Sequence, residues 1–392
     1  MQDLDAVVAP IEDDLVAWRR HLHAHPELSY EEHETSAWVR ERLAAIGAFE
    51  VTSPTPTSVM ARLVTGRPGR TVAIRADLDA LPIEEDTGLP FASTRPGVMH
   101  ACGHDGHTSI LLGVATALAA LRDQLAGELR LLWEHGEEAL PGGASQMVAA
   151  GVMEGVDAVI GLHLWARTPI GEVVVRPGRL MAACDVFRIV IRGRGGHIGT
   201  PHGAIDPIAV GAEMVEALQH IVARNVDPVE PAIVGVTEFH AGDSVGVIPD
   251  SAVIGGGTNV FSPEVQDLLE RRIGEVARGI CAAHGATCEV EYTRGYGAVV
   301  NDPEVTAVVA RTARGLFGDG AVTEGELIMA GEDFSAFQAL APGCFVMLGA
   351  ANAERGITHD HHHPRFDVDE AALPMGVRLL TAAAIELTGG SA

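Results

Sequence analysis

TVAIRADLDALP (71–82) runs as an apolar, β-branched strand into two aspartates, and the layout returns in ELRLLWEHGEE (128–138) and DAVIGLHLW (157–165). Each is an apolar run of strand length with acidic residues or a histidine towards its end. Between the first two lies an apolar helix predicted from about Thr108 to Leu121, and GGASQMVAAGVM (142–153) supplies another before the third. Strands alternating with helices predict an α/β fold, a mostly parallel sheet with helices on both faces. Ligands of such sheets gather at the carboxyl ends of the strands, where these polar residues fall.

Near residue 182 the pattern changes. Strand 184–195, helix 206–224, strands 232–242 and 251–260, helix 263–285 and strand 286–296 follow in order. This is β-α-β-β-α-β, the ferredoxin-like α+β arrangement, complete in itself. Alternation resumes with NDPEVTAVVARTARGLFG (301–318), a buried strand CFVMLGA (344–350) and a closing helix over 369–387. The expectation is a discontinuous catalytic domain, 1–181 and 297–392, interrupted by an inserted domain, 182–296. A chain of 392 residues has room for both.

Charge narrows the function. Against 53 acidic residues stand 27 basic ones, a net charge of −26 that repels nucleic acid and anionic membranes. All the basic residues are arginine; a chain without lysine supplies neither the P-loop lysine nor a Schiff-base amine. The longest apolar runs, such as 110–121, stop short of the roughly 20 residues a membrane span needs. The start, MQDLDAVVAPIEDDL, lacks the layout of a signal peptide, so a cytoplasmic protein is expected. Five cysteines without paired spacing fit reduced thiols.

HACGHDGH (100–107) concentrates a thiol and three imidazoles. Cys102 and His104 would point some 200° apart on a helix, but on a turning segment they can converge. Alone, the cluster reads as a buried small residue with helix-capping histidines, and a redox thiol is the weaker reading because no second cysteine lies close enough in sequence to resolve it. The other strand ends weigh against both. Glu137 and Glu138 are adjacent, so one can bind a metal while the other faces a water. His163 lies in GLHLW, where a lone histidine otherwise reads as core, and HDHHHP (359–364) offers another imidazole. Asp77 and Asp79, read as alternating on one strand face, could orient histidines or cap the strand end. Cys102, His104, Glu138, His163 and a histidine from 361–363 together form a mixed sulfur, nitrogen and oxygen set large enough for two divalent ions.

The ordered series RRHLHAHPELSYEE (19–32), RADLDALPIEE (75–85), MHACGHDGHT (99–108), GEE (136–138), GLHLW (161–165), GRGGHIGTPH (193–202), DPIAVGAE (206–213), GEDFSAF (331–337) and HHPRFDVDE (362–370) covers nearly the whole chain. It resembles the metallopeptidase family of aminoacylases, carboxypeptidases and dipeptidases. Within it the match is to the amidohydrolase branch of hippurate hydrolase and the indole-acetyl-amino-acid hydrolases. The resemblance implies a catalytic α/β domain with an inserted ferredoxin-like dimerisation or lid domain, and a homodimer. It implies two divalent ions, zinc or manganese, bridged by Cys102 and held by His104, Glu138, His163 and His362, the last two residues before the proline. It makes Glu137 the general base and gives His197, from the lid of a partner subunit, a role at the oxyanion.

Two positions depart from the family pattern. An asparagine before the VIPD run and an arginine in a GTxRTF-like strand hold the substrate carboxylate in the family; here Gly246 and Asn259 stand there. Losing the arginine fork removes a bidentate charge-assisted clamp. The expected activity is hydrolysis of an N-acyl amino acid or related small N-acyl compound. A dipeptidase or aminopeptidase on the same scaffold is the alternative, and a non-catalytic metal- or ligand-binding protein a further one. Glu137 argues against the last, because mere binding needs no base.

Overall fold

The computed structural model describes residues 4–389. Met181–Ala298 and Leu327–Glu332 form one compact unit, and the remaining described residues form the other.

The larger unit is built on an eight-stranded sheet. Across it the strands run Glu50–Thr52, Val59–Val64, Glu128–Glu134, Thr71–Asp77, Ala158–Pro169, Gly343–Ala351, Val173–Val174 and Val322–Thr323. The neighbours from Glu128–Glu134 to Gly343–Ala351 pair in parallel. From Thr71–Asp77 the chain passes to one side as Glu128–Glu134 and then crosses to the other as Ala158–Pro169. Right-handed crossovers therefore put the helices His104–Ala120 and Gly143–Ala149 on opposite faces. The reversal opens a crevice at the carboxyl ends of Thr71–Asp77 and Ala158–Pro169, the usual place for a ligand.

His104–Ala120 is buried almost throughout, between the sheet and the helices Glu12–Ala24 and Ala372–Leu387. Leu111, Val114, Leu118, Val377 and Leu380 belong to the same apolar core. Each such side chain contributes about 1.5–3 kcal/mol by leaving water. The helix begins one turn before the predicted Thr108, because Gly103 adopts φ 94°, a left-handed conformation that swings His104 into the first turn. The helix read over 142–153 is confined to Gly143–Ala149. Strand Thr71–Asp77 stops before Asp79, so the two aspartates do not share one strand face as expected.

The smaller unit carries a four-stranded antiparallel sheet in the order Ala232–His240, Ser251–Val260, Ala183–Arg192, Thr287–Tyr296. With the helices Pro207–Asn225 and Pro263–Ala283 this is the ferredoxin-like order. Leu327–Glu332 joins it where Ala182 N donates to Ile328 O and Ala330 O, at 3.0 Å each.

Three helices start at an acidic or hydroxyl residue followed by proline. Asp206, Ser262 and Asp302 each accept backbone N–H groups of the first turn, and proline follows each at the first helical position. Asp302 Oδ1 takes both Glu304 N and Val305 N at 2.9 Å. Asp302→Ala should lower the stability of its unit by about 1 kcal/mol in urea unfolding, while Asp302→Asn, which keeps an acceptor, stays near wild type.

Candidate metal centre

The crevice collects side chains from five places in the larger unit. Asp77 ends its strand, His104 opens the helix behind Cys102, Glu137 and Glu138 follow Glu128–Glu134, and His163 stands inside Ala158–Pro169. His362 arrives from a loop, held where its backbone N donates to Ala101 O at 2.8 Å. Its φ of 63° is unusual for a residue with a side chain, a local cost that the surrounding contacts must offset.

Ligand-capable atoms of Cys102, His104 and His163 lie within 4.8 Å of one another, and so do those of Cys102, Glu138 and His362. Cys102 is shared by both groups. A third group at the same spacing joins His104, Glu137 and Glu138. The five residues expected as ligands, with Glu137, are therefore brought together.

Hydrogen bonding separates the histidines that can offer a lone pair from those that cannot. His104 Nδ1 is 2.9 Å from Asp79 O, so it carries the proton. Its Nε2 has no hydrogen-bond partner among the described residues and faces Asp77 Oδ2 at 3.7 Å and Glu137 Oε2 and Glu138 Oε1 at 3.9 Å. His163 Nδ1 donates to Leu164 O at 2.8 Å, leaving Nε2 to face Cys102 Sγ at 3.5 Å. His362 Nε2 lies 3.2 Å from Glu138 Oε1. His107 instead spends both nitrogens, Nδ1 on Asp77 Oδ1 at 2.7 Å and Nε2 as acceptor from Leu164 N at 2.8 Å. His361 is likewise occupied, by Leu164 O at 3.0 Å and Asp360 Oδ1 at 3.3 Å. His363 accepts from Arg365 N at 3.0 Å and stacks on His359.

The electrostatics call for positive charge. Burial pulls the His104 imidazolium down, but Asp77, Asp79 and Glu138 outweigh it and push the group up to about 10. Burial, then Glu138, Glu137 and Asp77, push the Cys102 thiol well up. Such surroundings oppose a reactive thiolate standing alone and suit one paired with cations. Burial, then His107 and His361, hold His163 well below its ordinary range, so its ring is neutral. A thiol, imidazoles and carboxylates with inward-facing lone pairs form a donor set that fits divalent ions.

Behind this ring stands a support that sequence reasoning reached only in part. Asp105 accepts from Arg19 Nε at 3.0 Å and pairs with His23 Nδ1 at 2.8 Å, pinning the helix start. Arg75 bonds Glu134 at 2.6 Å, Asp77 at 2.7 Å and Asp333 at 3.0 Å, and Asp333 Oδ2 takes Ala144 N at 3.1 Å. All four of these side chains, Arg75, Glu134, Asp77 and Asp333, are buried. The signal was an arginine inside an otherwise apolar strand, which is tolerated only when paired.

His197, Gly246 and Asn259 belong to the smaller unit. His197 is exposed on a two-residue strand paired with Val247, and its Nδ1 accepts from Gly199 N at 3.0 Å. Asn259 donates its amide hydrogens to Met329 O, at 2.8 Å, and to Cys184 Sγ.

The model of peptidase family M20/M25/M40 matches residues 73–386. An N-acyl-L-amino acid amidohydrolase of Geobacillus stearothermophilus is 50% identical over 303 residues, 77% of this chain and 82% of that protein. Thermostable carboxypeptidase 1 of Saccharolobus solfataricus is 41% identical over 372 residues, 94% of each chain. Among solved structures, a dinuclear metal binding peptidase of the M20 family from Bacillus subtilis superposes with a TM-score of 0.83 at 35% identity, covering 98% of this chain and 100% of that one. The fold and its site thus define a metal-dependent amidohydrolase with a dinuclear centre. The chain belongs to the peptidase family M20/M25/M40.

Proposed function

We propose that the protein hydrolyses the amide bond of an N-acyl amino acid or related small N-acyl compound. Cys102, His104, Glu138, His163 and His362 would hold two ions, zinc or manganese. The observation that supports this best is the pair of ligand groups sharing Cys102, with the proton of His104 and of His163 fixed on Nδ1 so that each Nε2 faces inward. Divalent ions at this place supply an acidified water and polarise the amide carbonyl. Glu137, in the loop that follows the strand and beside His104, accepts the proton of the attacking water and returns it to the departing amine nitrogen. His197 donates to the developing oxyanion. Its Nδ1 accepts a backbone hydrogen bond, so in the neutral ring the proton sits on Nε2, where a donor is required. We assign 182–296 as a dimerisation and lid domain, the histidine coming from a second copy of the chain, and place the protein in the cytoplasm. Among the described residues no helix is long and apolar enough to cross a membrane.

Substrate choice turns on Asn259. Its amide hydrogens are engaged within its own unit, so it offers no clamp to a substrate carboxylate. The metal-reconstituted protein should therefore cleave N-acyl amines and N-acyl amino acid amides at rates within about tenfold of the free acids, a difference of roughly 1.4 kcal/mol. A strict need for a free carboxylate would overturn this reading of Asn259. The name of the Saccharolobus relative favours a second reading, a carboxypeptidase. Cleavage of free peptides alone, with N-acetyl and N-benzoyl amino acids untouched, would replace the first reading by the second.

A further inference from the structure

The segment 27–32, ELSYEE, lies beneath the loop that carries Glu137 and takes up its backbone polar groups one by one. Glu32 is fully buried, and its Oε1 accepts from Tyr30 N at 2.9 Å and Gly136 N at 2.8 Å. The Tyr30 hydroxyl donates to Ala139 O at 2.6 Å and accepts from Gly142 N at 3.1 Å. Ser29 Oγ donates to Asp79 Oδ2 at 2.7 Å, and the same oxygen takes Glu138 N at 3.0 Å. Apart from Tyr30 N, every backbone group named here falls between 136 and 142, a stretch that forms neither strand nor helix. Such a loop has no ladder to hold it, and its direction is set by whatever satisfies these groups.

The fit is close and locally costly. Gly136 has φ 62°, and a Cβ there would stand 2.6 Å from Tyr30 Cε1. Tyr30 itself has φ 69°, a conformation that costs a residue with a side chain roughly 1–2 kcal/mol. The segment is in turn fixed below. The Glu27 carboxylate accepts from Thr35 N at 2.7 Å, and Glu27 O accepts from Ala80 N at 2.8 Å, just past the strand that ends in Asp77.

We propose that Tyr30 and Glu32 are positioning residues that set the course of the loop 136–142 and so aim the Glu137 carboxylate at the attacking water. This rests on the reading of Glu137 as the base. The effect expected is that of a misplaced base, because a shift of the order of 1 Å in a reacting group can cost about a hundredfold in rate.

The test is steady-state kinetics on Glu32→Ala, Glu32→Gln and Tyr30→Phe, alone and combined with Glu137→Gln, with the metal content of every variant measured. Glu32→Ala and Tyr30→Phe should lower kcat by about 10- to 100-fold, leaving KM within about threefold and metal content unchanged. Glu32→Gln keeps an oxygen for the two N–H groups and should recover most of the rate. With Glu137 already replaced, the same changes should cost nothing more, since there is no base left to aim. Wild-type kcat in both Glu32→Ala and Tyr30→Phe overturns the proposal, as does an equal proportional loss in both backgrounds or a loss that follows metal content. Each of these leaves the proposed hydrolysis standing. Full activity of Glu137→Gln alone fells that mechanism, and the positioning role with it. Should Glu32→Ala fail to fold, Tyr30→Phe, which removes one oxygen atom, decides the matter by the same outcomes.

Discussion

Glu137→Gln is expected to lower kcat by about a thousandfold or more while two divalent ions per chain remain bound. The amide keeps the size and one acceptor oxygen of the carboxylate but cannot take a proton from water at neutral pH. Glu137 is buried beside His104, its Oε2 3.9 Å from Nε2, whereas Glu138 is the carboxylate that meets His362 at 3.2 Å. On the proposed mechanism the two neighbours divide the work, Glu137 taking the proton of the water and Glu138 serving the ions. Turnover numbers and metal analysis on the same preparation check this. Retained activity would remove Glu137 from the mechanism, and loss of metal together with activity would make it a ligand instead.

Chelation should abolish activity, and Mn²⁺ or Zn²⁺ should restore it in the wild-type protein but not in Cys102→Ala. The group of Cys102, His104 and His163 and that of Cys102, Glu138 and His362 share Cys102, so a single substitution removes a donor from both. Carbonyl polarisation and water activation are each worth several kcal/mol, so the expected fall is about three orders of magnitude. Chelation should also lower the thermal midpoint of the wild-type protein, because ions that bind only the folded chain stabilise it by mass action. Activity that survives full metal removal and instead follows the oxidation state of Cys102 would revive the redox reading. The surroundings argue otherwise, since burial and three carboxylates push that thiol well up.

Much of the fold was legible because local pattern carries it. The alternation of apolar strands with helices before residue 182, and the β-α-β-β-α-β run after it, reappear as the two sheets. The Asp-Pro and Ser-Pro pairs mark helix starts whose caps are seen. What misled was glycine. Gly103 lets the helix begin a turn early, and that places His104 on a helix where a turning loop was expected.

The site was legible in its chemistry and less so in its selection among like residues. Three histidines stand between 361 and 363; His361 spends both ring nitrogens, and His363 one, on neighbours that no spacing rule identifies. His107, only three residues from His104, engages both ring nitrogens, with Asp77 and with Leu164 N. Arg75 and Asp333 are 258 positions apart, and Glu32 and Gly136 are 104 apart. Their meeting depends on the order of strands across the sheet.

By itself, then, the sequence determined the order of elements, the types of residue available at the strand ends, and the ordered motifs that place the chain in its family. Periodicity, capping and composition act over a few residues, so they can be read along the chain. Only the tertiary structure decided which histidine nitrogens are taken up by neighbours, that Glu138 is the carboxylate meeting His362, and what steadies the loop that carries both glutamates. Those are settled by hydrogen bonds between distant segments, in a buried place where every polar group must find a partner.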